Sequence, residues 1–215
     1  MNTLAHATAG LFALISLATA AEGLTTQVVA GSAAVASEDA RAKFEGRRAG
    51  EEREFELAPG VSMKFCWCPA GEFVMGSPKS EEGRDSRDED QAKVTLTKGF
   101  WIAKTELTQA QWEAVMGSNP AFQKGADRPV VAVSWNDAQR FMVTINATIG
   151  SADGGRMSLP TEAQYEYAAR AGEEGMYPGG SLDGVAWHAG NSQRTQPVGT
   201  KKVNAWGLHD MSGNA

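Results

Sequence analysis

A chain of 215 residues has room for one domain of ordinary size plus a leader, and not for two large domains. A net charge of -6 and a pI near 5.2 give it no general basis for attracting nucleic-acid backbones, and Arg47-Arg48 stands in a mixed-charge, solvated stretch. The hydrophobic fraction of 42% is that of a globular protein, while 24 glycines and short apolar runs predict many turns and few long helices.

In chain order, residues 1–20 have the form of a secretory signal. Leu11 to Leu17 is an apolar run too short to span a bilayer, and Ala18-Thr19-Ala20 supplies the small-residue cleavage pattern. The run is preceded by no Lys or Arg, which leaves an apolar unstructured N-terminus as the alternative. Residues 21–53 have too few large apolar residues for a core and read as a linker, and the domain is expected over 54–215. Export and a chain that is not an integral membrane protein follow.

Met63 to Cys68 and Phe73 to Met75 read as two strands of a hairpin around Pro69-Ala70-Gly71-Glu72, because apolar runs bounded by Pro and Gly carry that pattern. The two cysteines, Cys66 and Cys68, fall one residue apart on the first strand. A bridge between them is strained, so they read as buried apolar groups, with a soft-metal Cys-x-Cys site as the alternative. Glu81 to Asp90 reads as a solvated loop. Val94-Thr95-Leu96 and Phe100-Trp101-Ile102 read as further strands.

Three helices announce themselves at their starts. Thr108 with Gln111 and Thr161 with Gln164 match the capping box, and Ser134 to Asp137 opens a third helix. Apolar residues at helical spacing follow each start: Trp112, Val115 and Met116; Ala138, Phe141, Met142 and Ile145; Tyr165, Ala168 and Ala169. Beyond Gly172 no long periodic segment is visible, so this stretch is either functional or pinned by something other than regular structure.

The mature chain has His188 and His209 alone among histidines, which excludes a multi-histidine zinc or iron site. No Gly-x-Ser-x-Gly elbow or phosphate-binding Gly-rich loop is present. What remains is hard-cation chemistry. Asn191 and Asp210 put side-chain oxygens beside Gly-rich backbone, where carbonyls complete a Ca²⁺ shell, or else they are ordinary turn residues.

Several segments taken together are similar to the formylglycine-generating (sulfatase-modifying factor) family. They are Phe73-Val74-Met75-Gly76-Ser77, Lys104 to Thr108, Pro129-Val130 with Val133-Ser134-Trp135, Leu159 to Arg170, Pro197-Val198-Gly199 and Asn204 to Ala215, in that order. The resemblance implies an α+β domain of a complex C-type-lectin-like fold with little regular secondary structure and bound Ca²⁺. Asp210 with the Gly213 and Ala215 carbonyls would supply part of one shell, and Asn191 with the Ser192 carbonyl part of another.

The resemblance further implies oxidation of a sulfatase cysteine to formylglycine with molecular oxygen, using copper held by two cysteines in the complete aerobic enzyme. Those cysteines lie downstream of the Gly-Asn-Ala motif, so no catalytic role is carried onto Cys66 or Cys68. The glutamate that follows the motif in the family would lie beyond Ala215. The implied partner is a sulfatase polypeptide, with a non-catalytic lectin-like module binding protein or glycan as the alternative, and the chain is expected to be a monomer.

Overall fold

The computed structural model describes residues 14–17, 44–85, 87, 89–149 and 155–214. Its strands, in chain order, are β1 (Leu14–Leu17), β2 (Glu52–Ala58), β3 (Val61–Cys68), β4 (Gly71–Met75), β5 (Ala92–Leu96), β6 (Phe100–Ala103) and β7 (Gly155–Ser158). The helices are α1 (Gln109–Met116), α2 (Trp135–Ile149), α3 (Glu162–Arg170) and α4 (Leu182–Val185). One sheet has the order β2-β3-β6-β1-β7, and β4 and β5 form a second. This mixture of small sheets and short helices is an α+β architecture.

The strands expected around the cysteines exist, but β3 and β4 do not form a hairpin with each other. β3 pairs with β2 and β6, whereas β4 pairs with β5. The reason is visible at the junction. Cys68 lies opposite Phe100 in one sheet and Gly71 opposite Leu96 in the other, so a two-stranded ribbon crosses from sheet to sheet at Pro69-Ala70. Tyr167 sits at that crossing, its hydroxyl donating to the Pro69 carbonyl at 3.1 Å. A Cβ at Gly71 would lie 2.3 Å from the same hydroxyl oxygen, so the chain can turn there only without a side chain.

The core is aromatic and centred on β3 and β6, whose residues Phe65 to Cys68 and Phe100 to Ala103 are all buried. Trp67 and Trp101 meet at 5.2 Å between ring centroids, and Phe55 meets Phe65 edge-on at the same separation. Trp67 fits because Gly46 and Gly99 flank it: a Cβ at either would come within 2.4 Å of the indole. Phe44, inside the stretch expected to be linker, is buried, and its carbonyl accepts from Trp101 Nε1 at 2.8 Å. Packed structure therefore extends N-terminal to Glu54.

The helix starts behave as their sequences dictate. Thr108 and Thr161 both form reciprocal capping boxes, with Gln111 and Gln164. Ser134 and Asp137 reproduce the same reciprocity at the start of α2, Asp137 Oδ2 accepting from the Ser134 amide at 2.9 Å. The predicted stripes turn inward: Ala138, Phe141, Met142 and Ile145 are buried, and Trp112 stacks on Phe141 at 5.2 Å and 10°.

Leu14–Leu17 lies within the apolar run read as a leader, and here it is a strand. Leu14 pairs with Ile102 and Ile15 with Trp101 on one side, and the four residues pair with Gly155 to Ser158 on the other. Residues 1–13 and the expected cleavage site Ala18-Thr19-Ala20 lie outside the described residues. Among the described residues no helix is long and apolar enough to cross a membrane.

Candidate functional site

Between Gly172 and Asn214 the chain has one four-residue helix and is otherwise held by side chains bonding to backbone. Asn204 is the hub. Its Nδ2 donates to the carbonyls of Ala168 and Ala169, at 2.8 and 3.0 Å, satisfying the end of α3. Its Oδ1 accepts from the amides of Trp206 and Leu208, at 3.0 and 3.1 Å. Trp206 then meets Tyr167 edge-on at 5.0 Å, which fastens the loop to the aromatic core.

The candidate cation ligands lie on this loop. Asp210 is 2% exposed and has φ of 57°, a left-handed conformation that costs a non-glycine residue energy. Its Oδ2 accepts from the Gly199 amide at 2.7 Å, while Oδ1 is buried with no hydrogen-bond partner. Burial holds the Asp210 carboxyl above the usual carboxylate range, against the opposing pull of the Gly199 amide and His209. When ionised, this oxygen is an acceptor with no N–H or O–H directed at it, and its lone pairs are open to a cation.

Gly213 belongs to the same turn and packs against the Trp187 carbonyl so closely that a Cβ would lie 2.6 Å from it. Asn214 bridges the loop to the body of the domain: Oδ1 accepts from the Gln196 amide at 2.8 Å, and Nδ2 donates to Glu106 Oε2 at 2.9 Å. Ala215, whose carbonyl was expected to join Asp210 and Gly213, lies outside the described residues.

Asn191 and Ser192 are engaged in closing their own turn. Asn191 Oδ1 accepts from the His188 amide at 2.9 Å, and its Nδ2 donates to Asp183 and to the Ala186 carbonyl. Ser192 Oγ donates to the Arg194 carbonyl at 2.6 Å and accepts from Gln196 Nε2 at 2.9 Å. Gln196 thereby links this turn to Asn214. Asp183 receives His188 Nε2 at 2.7 Å, which with the Asn191 amide pulls its carboxyl below the ordinary value.

Among the described residues no group of three or more His, Cys, Asp or Glu side chains is placed to hold a metal. A cation here would draw mainly on carbonyl and amide oxygens, which suits Ca²⁺ and not a softer ion. The orphaned Asp210 oxygen fits such an ion.

The thiols do not fit copper chemistry. Cys66 and Cys68 are free and fully buried on β3. Burial pushes the Cys66 thiol up to about 12, with the nearby Glu52 carboxylate adding to the shift, and burial likewise raises Cys68 well above its ordinary value. In this packing both thiols are held neutral and out of reach of a metal or an oxidant.

Sequence reasoning passed over Glu106, Gln109 and Asn204 as functional supports, although all three fall within or beside the motif segments. Glu106 and Gln109 are fully buried polar residues. Gln109 orders the 119–125 loop through Asn119, Gln123 and Gly125. A polar residue flanked by apolar ones at a helix start, as in Glu106-Leu107-Thr108-Gln109, was the available signal.

Comparison with known proteins places this loop and its supports in a family. The chain is 35% identical over 177 residues to the Chaperone protein LppX of Paenibacillus barcinonensis, covering 56% of this chain and 61% of that one. It is 34% identical over 132 residues to the formylglycine-generating enzyme of Thermomonospora curvata, covering 54% and 39%. The chain thus spans less than two thirds of the length of either relative. The solved structure of PvdO from Pseudomonas aeruginosa superposes with a TM-score of 0.65 at 26% identity, over 77% of this chain and 72% of that one. Residues 52–215 match the sulfatase-modifying factor enzyme 1-like domain, and the chain belongs to that family.

Proposed function

We propose that the complete protein is an exported formylglycine-generating-type oxidoreductase, and that residues 52–215 supply its Ca²⁺-stabilised scaffold and not its reactive thiols. The observation that carries this reading is the contrast between two buried groups. The thiols of Cys66 and Cys68 are held neutral by their surroundings, whereas Asp210 keeps a buried carboxylate oxygen without a partner. A cation at Asp210, sharing the Gly213 and Ala215 carbonyls, would supply positive charge and fix the turn. Asn191 and the Ser192 carbonyl would serve a second cation only if their turn opened, because Asn191 Oδ1 already accepts from His188.

The substrate on this reading is a cysteine in a sulfatase polypeptide, oxidised to formylglycine with molecular oxygen. Copper would be held by cysteines outside residues 52–215. The C-type-lectin-like assignment of the fold is supported by the two small sheets and the long irregular segment. Export is supported by the apolar run and the Ala18-Thr19-Ala20 pattern.

A second reading is a non-catalytic module that binds polypeptide. It is favoured by the match to a relative named as a chaperone, which is covered to 61% against 39% for the enzyme. A glycan ligand has no comparable support. The deciding assay presents a Cys-x-Pro-x-Arg peptide, oxygen and copper to the 215-residue chain and to a version extended through the downstream segment. The first reading expects formylglycine from the extended protein alone. Turnover by the 215-residue chain contradicts it, and peptide binding without turnover by either favours the second.

A further inference from the structure

We propose that residues 192–199 form a strap whose closure on the body of the domain is controlled by a cation at Asp210. Each strap residue is partly or fully exposed, so burial contributes little and hydrogen bonds hold it. The Asp127 carbonyl accepts from the Val198 amide at 2.9 Å, and Arg128 donates to the Thr195 carbonyl. Further ties come from the two ends of one turn. Asp210 Oδ2 accepts from the Gly199 amide at 2.7 Å. Asn214 takes both backbone groups of Gln196, Oδ1 accepting from the amide at 2.8 Å and Nδ2 donating to the carbonyl at 3.0 Å. The same Nδ2 donates to Glu106 Oε2, so the grip is anchored on a fully buried residue.

The turn that grips the strap carries a cost of its own. Asp210 has φ of 57° and Asn214 φ of 141°, left-handed values that are unfavourable for non-glycine residues, and Asp210 Oδ1 is buried without a hydrogen-bond partner. Opening the strap lets water reach that oxygen and lets both backbones relax, so in metal-free protein opening relieves the cost. A cation on Oδ1 satisfies the oxygen without opening. It therefore binds the closed form better than the open one, and this difference in affinity is what shifts the strap. The device depends on the calcium reading of Asp210 and on nothing about formylglycine.

The test follows tryptic cleavage after Arg194, which is exposed but is cut only when the strap opens, in the 215-residue chain, with calcium binding measured in parallel by calorimetry. Saturating calcium is expected to slow this cleavage by roughly tenfold or more. Cleavage after the exposed Lys79, outside the turn and the strap, reports any effect of calcium on the protease. Asn214→Gly removes both bonds to Gln196 and suits the left-handed backbone. That variant is expected to be cut quickly with or without calcium, and to bind calcium roughly tenfold more weakly because coupling is mutual. Calcium binding with cleavage after Arg194 unchanged overturns the strap and leaves the cation reading standing, whereas no calcium binding overturns both. Equal protection of Asn214→Gly and the unaltered chain overturns the grip assigned to Asn214. The unaltered chain with and without calcium decides the matter even if Asn214→Gly does not fold.

Discussion

Two regions of this domain, one buried throughout and one anchored at a few buried points, are held together by different physics. β3 and β6 form a layer of rings and thiols in which nearly every contact is apolar, from Phe55 on Phe65 to Trp67 on Trp101. The loop from Gly172 to Asn214 has no comparable layer and depends on a few amides, Asn204 and Asn214 above all, each satisfying several backbone groups. Hydrocarbon packing tolerates neutral thiols and suppresses their chemistry. Polar scaffolding leaves an oxygen such as Asp210 Oδ1 over, and that residue of unmet bonding is where a ligand can act.

The contrast can be broken first on the apolar side. Trp101→Ala removes a fully buried indole, its contacts with Phe55 and Trp67, and the bond to the Phe44 carbonyl. It should cost about 3–5 kcal/mol and read out as a lower denaturation midpoint across the whole domain. A loss below 1 kcal/mol would mean that this layer is not the core.

On the polar side, Asn204→Ala strips partners from Ala168, Ala169, Trp206 and Leu208 at once. The expected loss is about 2–3 kcal/mol, concentrated locally. Amide exchange should accelerate at Trp206 and Leu208 while β3 stays protected, and uniform acceleration would show that the loop is not a separate unit.

The smallest effect concerns the thiols. Cys66→Ala is expected to cost about 1–2 kcal/mol, as loss of a small apolar group. Labelling of Cys66 and Cys68 in the unaltered protein should proceed only at the rate of global unfolding, with no rise between pH 7 and 9, because burial keeps both thiols protonated over that range. Rapid labelling under native conditions would reverse the assignment of silence to this strand.

Much of the framework was legible in residues. Capping boxes at Thr108 and Thr161 fixed two helix starts because that chemistry is local, and the stripe Ala138, Phe141, Met142, Ile145 identified its own buried face. The β3–β4 junction misled because Pro-Ala-Gly-Glu has hairpin composition, and only Tyr167, distant in sequence, shows that the ribbon passes between sheets. The burial of Phe44 was hidden for a related reason: a lone aromatic in a polar stretch carries no period, and its place is set by Trp67 and Trp101. At the candidate site, Asp210 was named from its turn and Gly213 through the family resemblance, whereas Glu106 was missed because its link to the loop exists only through Asn214.

The account turns on Asp210, and calcium-dependent melting of the 215-residue chain tests it most directly. Burial raises the folded carboxyl above its ordinary value of 3.8, so in metal-free protein the unfolded chain ionises first. The stability that Asp210 contributes is then greatest below that value and declines as pH rises through it. Bound Ca²⁺ reverses the sense, since it favours the carboxylate and competes with protons. At pH 7, calcium at about a hundredfold excess over Kd should raise Tm by about 5–10 °C, with a smaller rise near pH 4. Asp210→Asn should abolish the rise while leaving metal-free Tm equal or higher. A calcium response that survives Asp210→Asn, or no response in the unaltered chain, would contradict the account.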